Sequence, residues 1–187
     1  MQQAEQHLPL EPNSKYAIAI RYGLMTGFVS MFLTTISFLY ILKWSYIAFL
    51  VASFFMFMTP IVLYGVAATR QKKVMGGFMT IKDAFQVIFV VILISLAIST
   101  VYGLIYNKYI DPEFMTRMKE AMVGFFEQIK MPQDKIDDVV KNMDEASSTA
   151  NSASKIIYSF AQAIIMQSIF GFIVALIVRK EKPNNNQ

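Results

Sequence analysis

Few residues in this chain combine the type and the spacing that chemistry needs. The 187 residues include one histidine and no cysteine, which excludes thiol nucleophiles, thiol redox chemistry and thiolate metal ligands. His7 stands in a polar N-terminal stretch with no aspartate or second histidine nearby, so it reads as a solvated side chain rather than a ligand. Adjacent carboxylates occur at Asp137-Asp138 and Asp144-Glu145, but they fall on a strongly charged segment and read as a solvated face rather than an acid/base pair. Gly76-Gly77 follows no strand and precedes no Gly-Lys-Ser/Thr, so it is a loop glycine pair and not a phosphate loop. The sequence therefore assigns no catalytic, cofactor-binding or metal-ligating residue, and the chain reads as a non-enzyme that needs no cofactor.

The remaining candidates are polar groups inside long apolar runs. Pumps and active transporters usually carry an ionisable group near the membrane midplane, and none is found here. Uncharged groups recur instead: Thr34, Thr35, Ser53, Thr59, Gln86, Ser95, Ser99, Gln162 and Gln167. They read as hydrogen bonds between helices or back to a helix's own carbonyls. The sharper alternative is a solute path lined by Gln167, Ser95 and Ser99, which predicts a polar cavity reaching Gln167. Ser159, Ala163, Gln167, Gly171 and Ala175 recur at steps of four and place small residues on one narrow helix face. Gly23 and Gly27 repeat that spacing once. Such faces let helix backbones approach closely, here within one bundle in preference to a dimer seam.

The elements that carry these residues follow from composition. Hydrophobic residues make up 55% of the chain and charged residues only 16%, too apolar a balance for an ordinary soluble domain. Four runs, 16–42, 47–68, 84–106 and 155–178, are each long enough for the roughly 20 residues that cross a hydrocarbon core. A single helix through Lys43 would run from 16 to 68, far longer than a bilayer needs, so Lys43-Trp44-Ser45-Tyr46 is read as a tight turn between antiparallel spans. Pro60 predicts a kink in the second span. Thr69 to Asp83, with Arg70, Lys72, Lys73 and Lys82 around the glycine pair, reads as a basic flexible loop. The expectation is an all-α membrane bundle over 16–178, flanked by a polar tail (1–15) without signal-peptide character and a basic, Asn-rich tail (179–187).

Residues 107–154 are the one sizeable segment outside the spans. Asp111-Pro112-Glu113 is a helix start, with Asp able to cap free amides and Pro suited to the first helical position. Phe114, Met118, Met122, Phe125 and Ile129 then recur at steps of three or four, an amphipathic stripe whose apolar face needs burial in lipid, in the bundle top or in a partner. Pro132 permits a second start, and Ile136, Val139, Val140 and Met143 form a weaker stripe on an acidic helix. The two helices are expected to pack as a hairpin.

Charge sets an expected orientation. Lys15, Arg21, the cations of 70–82, and Arg179, Lys180 and Lys182 all fall on the side of the two termini, which the positive-inside rule makes cytoplasmic. The helical hairpin is then extracytoplasmic. Tyr40, Trp44, Tyr46, Tyr102, Tyr106, Tyr109 and Tyr158 would form its interfacial belt, with Tyr16 and Tyr22 marking the inner face. The net charge of +4 comes from these flanks and not from an aromatic-interleaved basic surface, so no nucleic-acid partner is expected.

The stretches Ile20 to Gly27 (IRYGLMTG), Thr80 to Phe85 (TIKDAF) and Ile105 to Pro112 (IYNKYIDP) resemble an uncharacterised bacterial membrane-protein family known only as a domain of unknown function. The resemblance covers nearly the whole chain and implies a bacterial inner-membrane location. It adds no activity, substrate or site residue. The functional expectation is a structural or accessory membrane protein whose outer amphipathic helices contact lipid or a partner protein, with homo-oligomerisation left open. The alternative is an oligomeric transporter or channel subunit for a small solute.

Overall fold

A computed structural model describes residues 15–42, 45–149 and 152–181. Lys43 and Trp44, His7 with the rest of the N-terminal tail, and Lys182 with the end of the C-terminal tail lie outside the described residues. The described chain consists of α1 (Lys15–Ile36), α2 (Tyr46–Val74), α3 (Ile81–Ile105), α4 (Phe114–Gln128), α5 (Gln133–Thr149) and α6 (Ala153–Val178). Both α1 and α3 run on into a wider π turn, at Ser37–Ile41 and Tyr106–Ile110.

Helices α1, α2, α3 and α6, the first and third with their π turns, are each long and apolar enough to cross a membrane. Their surfaces say the same: Phe28, Phe32, Phe54, Phe55 and Ile177 are more than half exposed, an apolar area that a water-facing surface does not tolerate. The chain is a multi-pass membrane protein.

Helix α3 is the hub of the bundle, with α1 along it in parallel and α2 and α6 against it. Its inward residues Ala84, Val87, Ile88, Val91 and Ile92 are almost wholly buried, joined by Tyr64, Ala67 and Ala68 of α2 and Val174, Ala175 and Val178 of α6. Three of the spanning helices have capped starts. Ser45, Thr80 and Ser152 occupy the cap positions of α2, α3 and α6 and accept from the amides of Ala48, Asp83 and Lys155.

Two sequence boundaries need correction. The second span does not stop at residue 68 but continues to Val74, because Arg, Gln and Lys are good helix formers and nothing breaks the helix before the glycines. At 29 residues it is about 43 Å long, so its last turns carry Arg70, Lys72 and Lys73 beyond a core of roughly 30 Å. It runs unbroken through Pro60, where Thr59 donates to the Phe55 carbonyl.

The segment read as a flexible loop is an ordered turn. The Gly77 amide donates to the Lys72 carbonyl (2.9 Å) and the Gly76 amide to that of Lys73 (3.2 Å), with both glycines at positive φ, 78° and 87°. This helix ending needs residues without a Cβ clash. Met79 and Lys180 then exchange backbone hydrogen bonds (2.8 and 3.0 Å), and Lys72 Nζ donates to the Val178 carbonyl (2.8 Å). The α2–α3 turn is thereby tied to the end of α6.

Candidate functional site

The two small-residue faces predicted from spacing do not meet each other; both meet α3. A Cβ placed on Gly23 would lie 2.8 Å from Ile94 Cβ, and one on Gly27 would lie 2.7 Å from Ile98 Cδ1. The glycines therefore seat two isoleucines of α3 against the α1 backbone. On the other flank, a Cβ on Gly171 would lie 2.9 Å from Ile88 Cγ2, and Ala175 is fully buried.

The rest of the α6 face behaves differently. Gln167 and Ala163 are half-buried and Ser159 is exposed, so the five-residue stripe packs at its C-terminal end and leaves the bundle toward its N-terminal end. Regular spacing could not show where neighbouring helices stop covering the face.

Gln167 has a partner that sequence reasoning missed. The Tyr64 hydroxyl donates to Gln167 Oε1 across 3.4 Å, while Ser95 donates to the Ile92 carbonyl of its own helix at 3.1 Å. Tyr64 is 1% exposed and Ser95 4%, so both hydroxyl-bearing side chains are buried, while Gln167 itself is half-buried. A long hydrogen bond between helices contributes little. Tyr64→Phe is expected to cost no more than about 1 kcal/mol of stability in detergent-solubilised protein. A loss of several-fold that size would show that the hydroxyl supports a larger polar network.

The α4 stripe is seated on the bundle end. Phe114 is 4% exposed and Met122 7%, and Phe114 stacks on Phe38 with ring centroids 3.9 Å apart. Phe38, Leu42, Phe49 and Tyr106 complete this aromatic seat, with Met118 packed against it and Phe125 beside Tyr46 at 5.4 Å. The π turns supply Phe38 and Tyr106, so the widened ends of α1 and α3 lie under the same helix. Ile129 departs from the predicted face: it is 53% exposed, because α4 ends at Gln128 and the chain turns away through Lys130 at φ 56°.

Asp111 also differs from its expected role. Its carboxylate accepts from the Tyr106 hydroxyl (3.2 Å) and from the Arg117 guanidinium, while α4 starts only at Phe114, with Glu113 in a cap position that makes no side-chain bond. Asp111 thus pins the first turns of α4 to the end of α3. The hydrogen bond to Asp111, ahead of its charge, holds the Arg117 guanidinium even more firmly protonated than usual. Helix α5 is held to α4 by an exposed Lys119–Asp144 pair at 2.9 Å, and its Ile136 is 2% exposed. An exposed pair adds at most about 1 kcal/mol, so apolar burial holds these helices together.

Within this pair, Gly124 sits mid-helix, and a Cβ added to it would have no neighbouring atom within 4 Å. Gly124→Ala is expected to stabilise α4 by about 0.5–1 kcal/mol, checked by slower hydrogen exchange in the helix. An unchanged or faster exchange would contradict the open space seen there.

Of the carboxylate pairs, Asp144 lines a small cleft of about 60 Å³ with Met115, Thr116, Lys119 and Met143, and its neighbour Glu145 is not among the lining residues. Asp137 accepts from Gln133 at 3.0 Å, Asp144 pairs with Lys119, and Asp138 and Glu145 are exposed. Among the described residues, no three of His, Asp and Glu come together as metal ligands would.

A second gathering of charge lies at the opposite end of the bundle, where the sequence showed only topology signals. Arg21 and Tyr22 of α1 face Arg70 and Lys73 of α2 across an open cleft of about 440 Å³. The i, i+3, i+4 spacing on each helix was the available signal.

No curated protein and no solved structure matches the chain. A family profile does, over residues 21–180, which takes in α1 from Arg21 onward, the other three spans and the α4–α5 pair. The chain belongs to the family described as protein of unknown function (DUF4199).

Proposed function

We propose that this is a non-enzymatic, structural or accessory protein of the bacterial inner membrane, whose α4–α5 pair offers a contact surface to a partner protein or to lipid. The reading has both termini and the α2–α3 turn in the cytoplasm and the pair outside. The observation that carries it is the division of labour on α4: its apolar face is spent on the bundle, while Glu113, Glu120 and Glu127 and most of α5 remain charged and exposed. Nine of the chain's 13 carboxylates lie between Asp111 and Glu145, so the surface presented is acidic and distinct from the basic opposite end. Orientation is supported by the cations Arg70, Lys72, Lys73 and Lys82 in the short α2–α3 connection and Arg179 and Lys180 after α6.

Photocrosslinkers at Glu120 and Asp138, with inward controls at Phe114 and Met122, test this in native membranes. The outward positions are expected to capture a discrete partner or lipid, and the inward ones α1 and α2 of the same chain. Outward positions that yield no adduct beyond the chain itself would overturn the reading. The transporter or channel alternative needs a polar path at Gln167, and the enclosed Tyr64 and Ser95 beside it speak for packing instead.

A further inference from the structure

The cleft between α1 and α2 has a composition that calls for an anion. Ile18, Arg21 and Tyr22 line it from α1, and Arg70, Lys73 and Val74 from α2. No carboxylate lines it, and none of the three cations forms an ion pair among the described residues. Asp83 and Glu181, the described carboxylates at this end, line a different cleft with Lys180. Three like charges drawn around one opening repel each other unless an anion joins them. The volume of about 440 Å³ falls within the roughly 300–1,000 Å³ of small-molecule sites.

We propose that this cleft binds the phosphate of an anionic phospholipid. The chemistry shared by all phosphate sources is the guanidinium fork of Arg21 and Arg70 on phosphate oxygens, with Lys73 as a point charge. What selects a lipid is position. Arg21 lies about 9 Å along α1 from its start at Lys15, inside a segment apolar enough to span, so its side chain reaches out to headgroup level. Exposed Met25 and Leu24 continue the α1 surface toward the bilayer core, where acyl chains would lie. A soluble phosphate has no use for that continuation. This site lies at the opposite end from α4–α5 and stands or falls separately from the accessory reading.

The test is lipid binding to the full-length protein by native mass spectrometry and by titration in detergent, with phosphatidylglycerol and phosphatidylcholine compared. Wild type is expected to retain phosphatidylglycerol in preference. R21Q/R70Q/K73Q is expected to lower its affinity on the order of 100-fold, since each interfacial cation contributes a factor of about five. R179Q/K180Q, which removes cations at the same end but outside the cleft, is expected to keep the preference. Equal retention of both lipids, or equal losses in the two variants, would overturn the site in favour of bulk charge. Displacement of phosphatidylglycerol by comparable concentrations of inorganic phosphate would overturn the lipid assignment in favour of a soluble anion. Because all three cations are exposed, the triple variant should elute and melt like wild type; if it does not, R21Q and R70Q/K73Q measured separately must each show the loss, and retention in both refutes the proposal.

Discussion

Gly27→Leu is expected to destabilise the protein by about 2 kcal/mol, and Gly23→Leu by a similar amount, read as a lower thermal midpoint in detergent. The Cβ alone would lie 2.7 Å from Ile98 Cδ1 and 2.9 Å from Ile98 Cβ, so α1 must shift away from α3 or the isoleucine must change rotamer. Ile98 Cβ is held by its own backbone and cannot simply swing aside. A leucine recovers up to about 1 kcal/mol of helix propensity over glycine, which is smaller than the cost of overpacking. Gly103→Leu is the matched control, since nothing lies within 4 Å of a Cβ there. If Gly27→Leu and Gly103→Leu melt together with wild type, the close approach of α1 and α3 is wrong.

Phe114→Ala is expected to have a still larger effect, about 3–5 kcal/mol, because it empties the ring's place against Phe38 and Tyr106. The loss should be local. The spans keep their contacts through α3, while α4 and α5 lose the anchor that seats them, so hydrogen exchange and proteolysis should accelerate between residues 114 and 149 and change little in the spans. Ile129→Ala, on the same predicted stripe but exposed, should stay within about 0.5 kcal/mol of wild type. Equal protection of 114–149 in wild type and Phe114→Ala would mean that the aromatic seat does not hold the pair.

The stripe Phe114, Met118, Met122, Phe125 and Ile129 shows how far periodicity reaches. It predicted an amphipathic helix, and the structure sets Phe114, Met118 and Phe125 against the aromatic seat and buries Met122 as well. It could not name that seat, because Phe38 and Phe49 come from the ends of α1 and α2, far from α4 in the chain, and only Tyr106 lies near it. Nor could it show that Ile129 lies past the helix end, which depends on the φ of 56° at Lys130. Gly76-Gly77 tells a related story. The pair is legible as a turn, yet the cations before it do not mark a loop: outside the hydrocarbon, Arg and Lys are good helix formers and carry α2 on to Val74.

The sequence by itself determined that this chain has four helices apolar enough to cross a membrane, where most of them begin, and that α4 and α5 are amphipathic. These are local properties: a hydrocarbon core demands about 20 apolar residues in one stretch, and helical periodicity is written in residues three and four apart. Tertiary structure alone decided that α3 is the hub, that Gly27 receives Ile98, that Tyr64 is the partner of Gln167, and that Arg21 faces Arg70 and Lys73. Each of those facts depends on the rotation and register of one helix against another. In spans that are apolar all round, no polar face announces which side turns inward; close packing of particular side chains settles it.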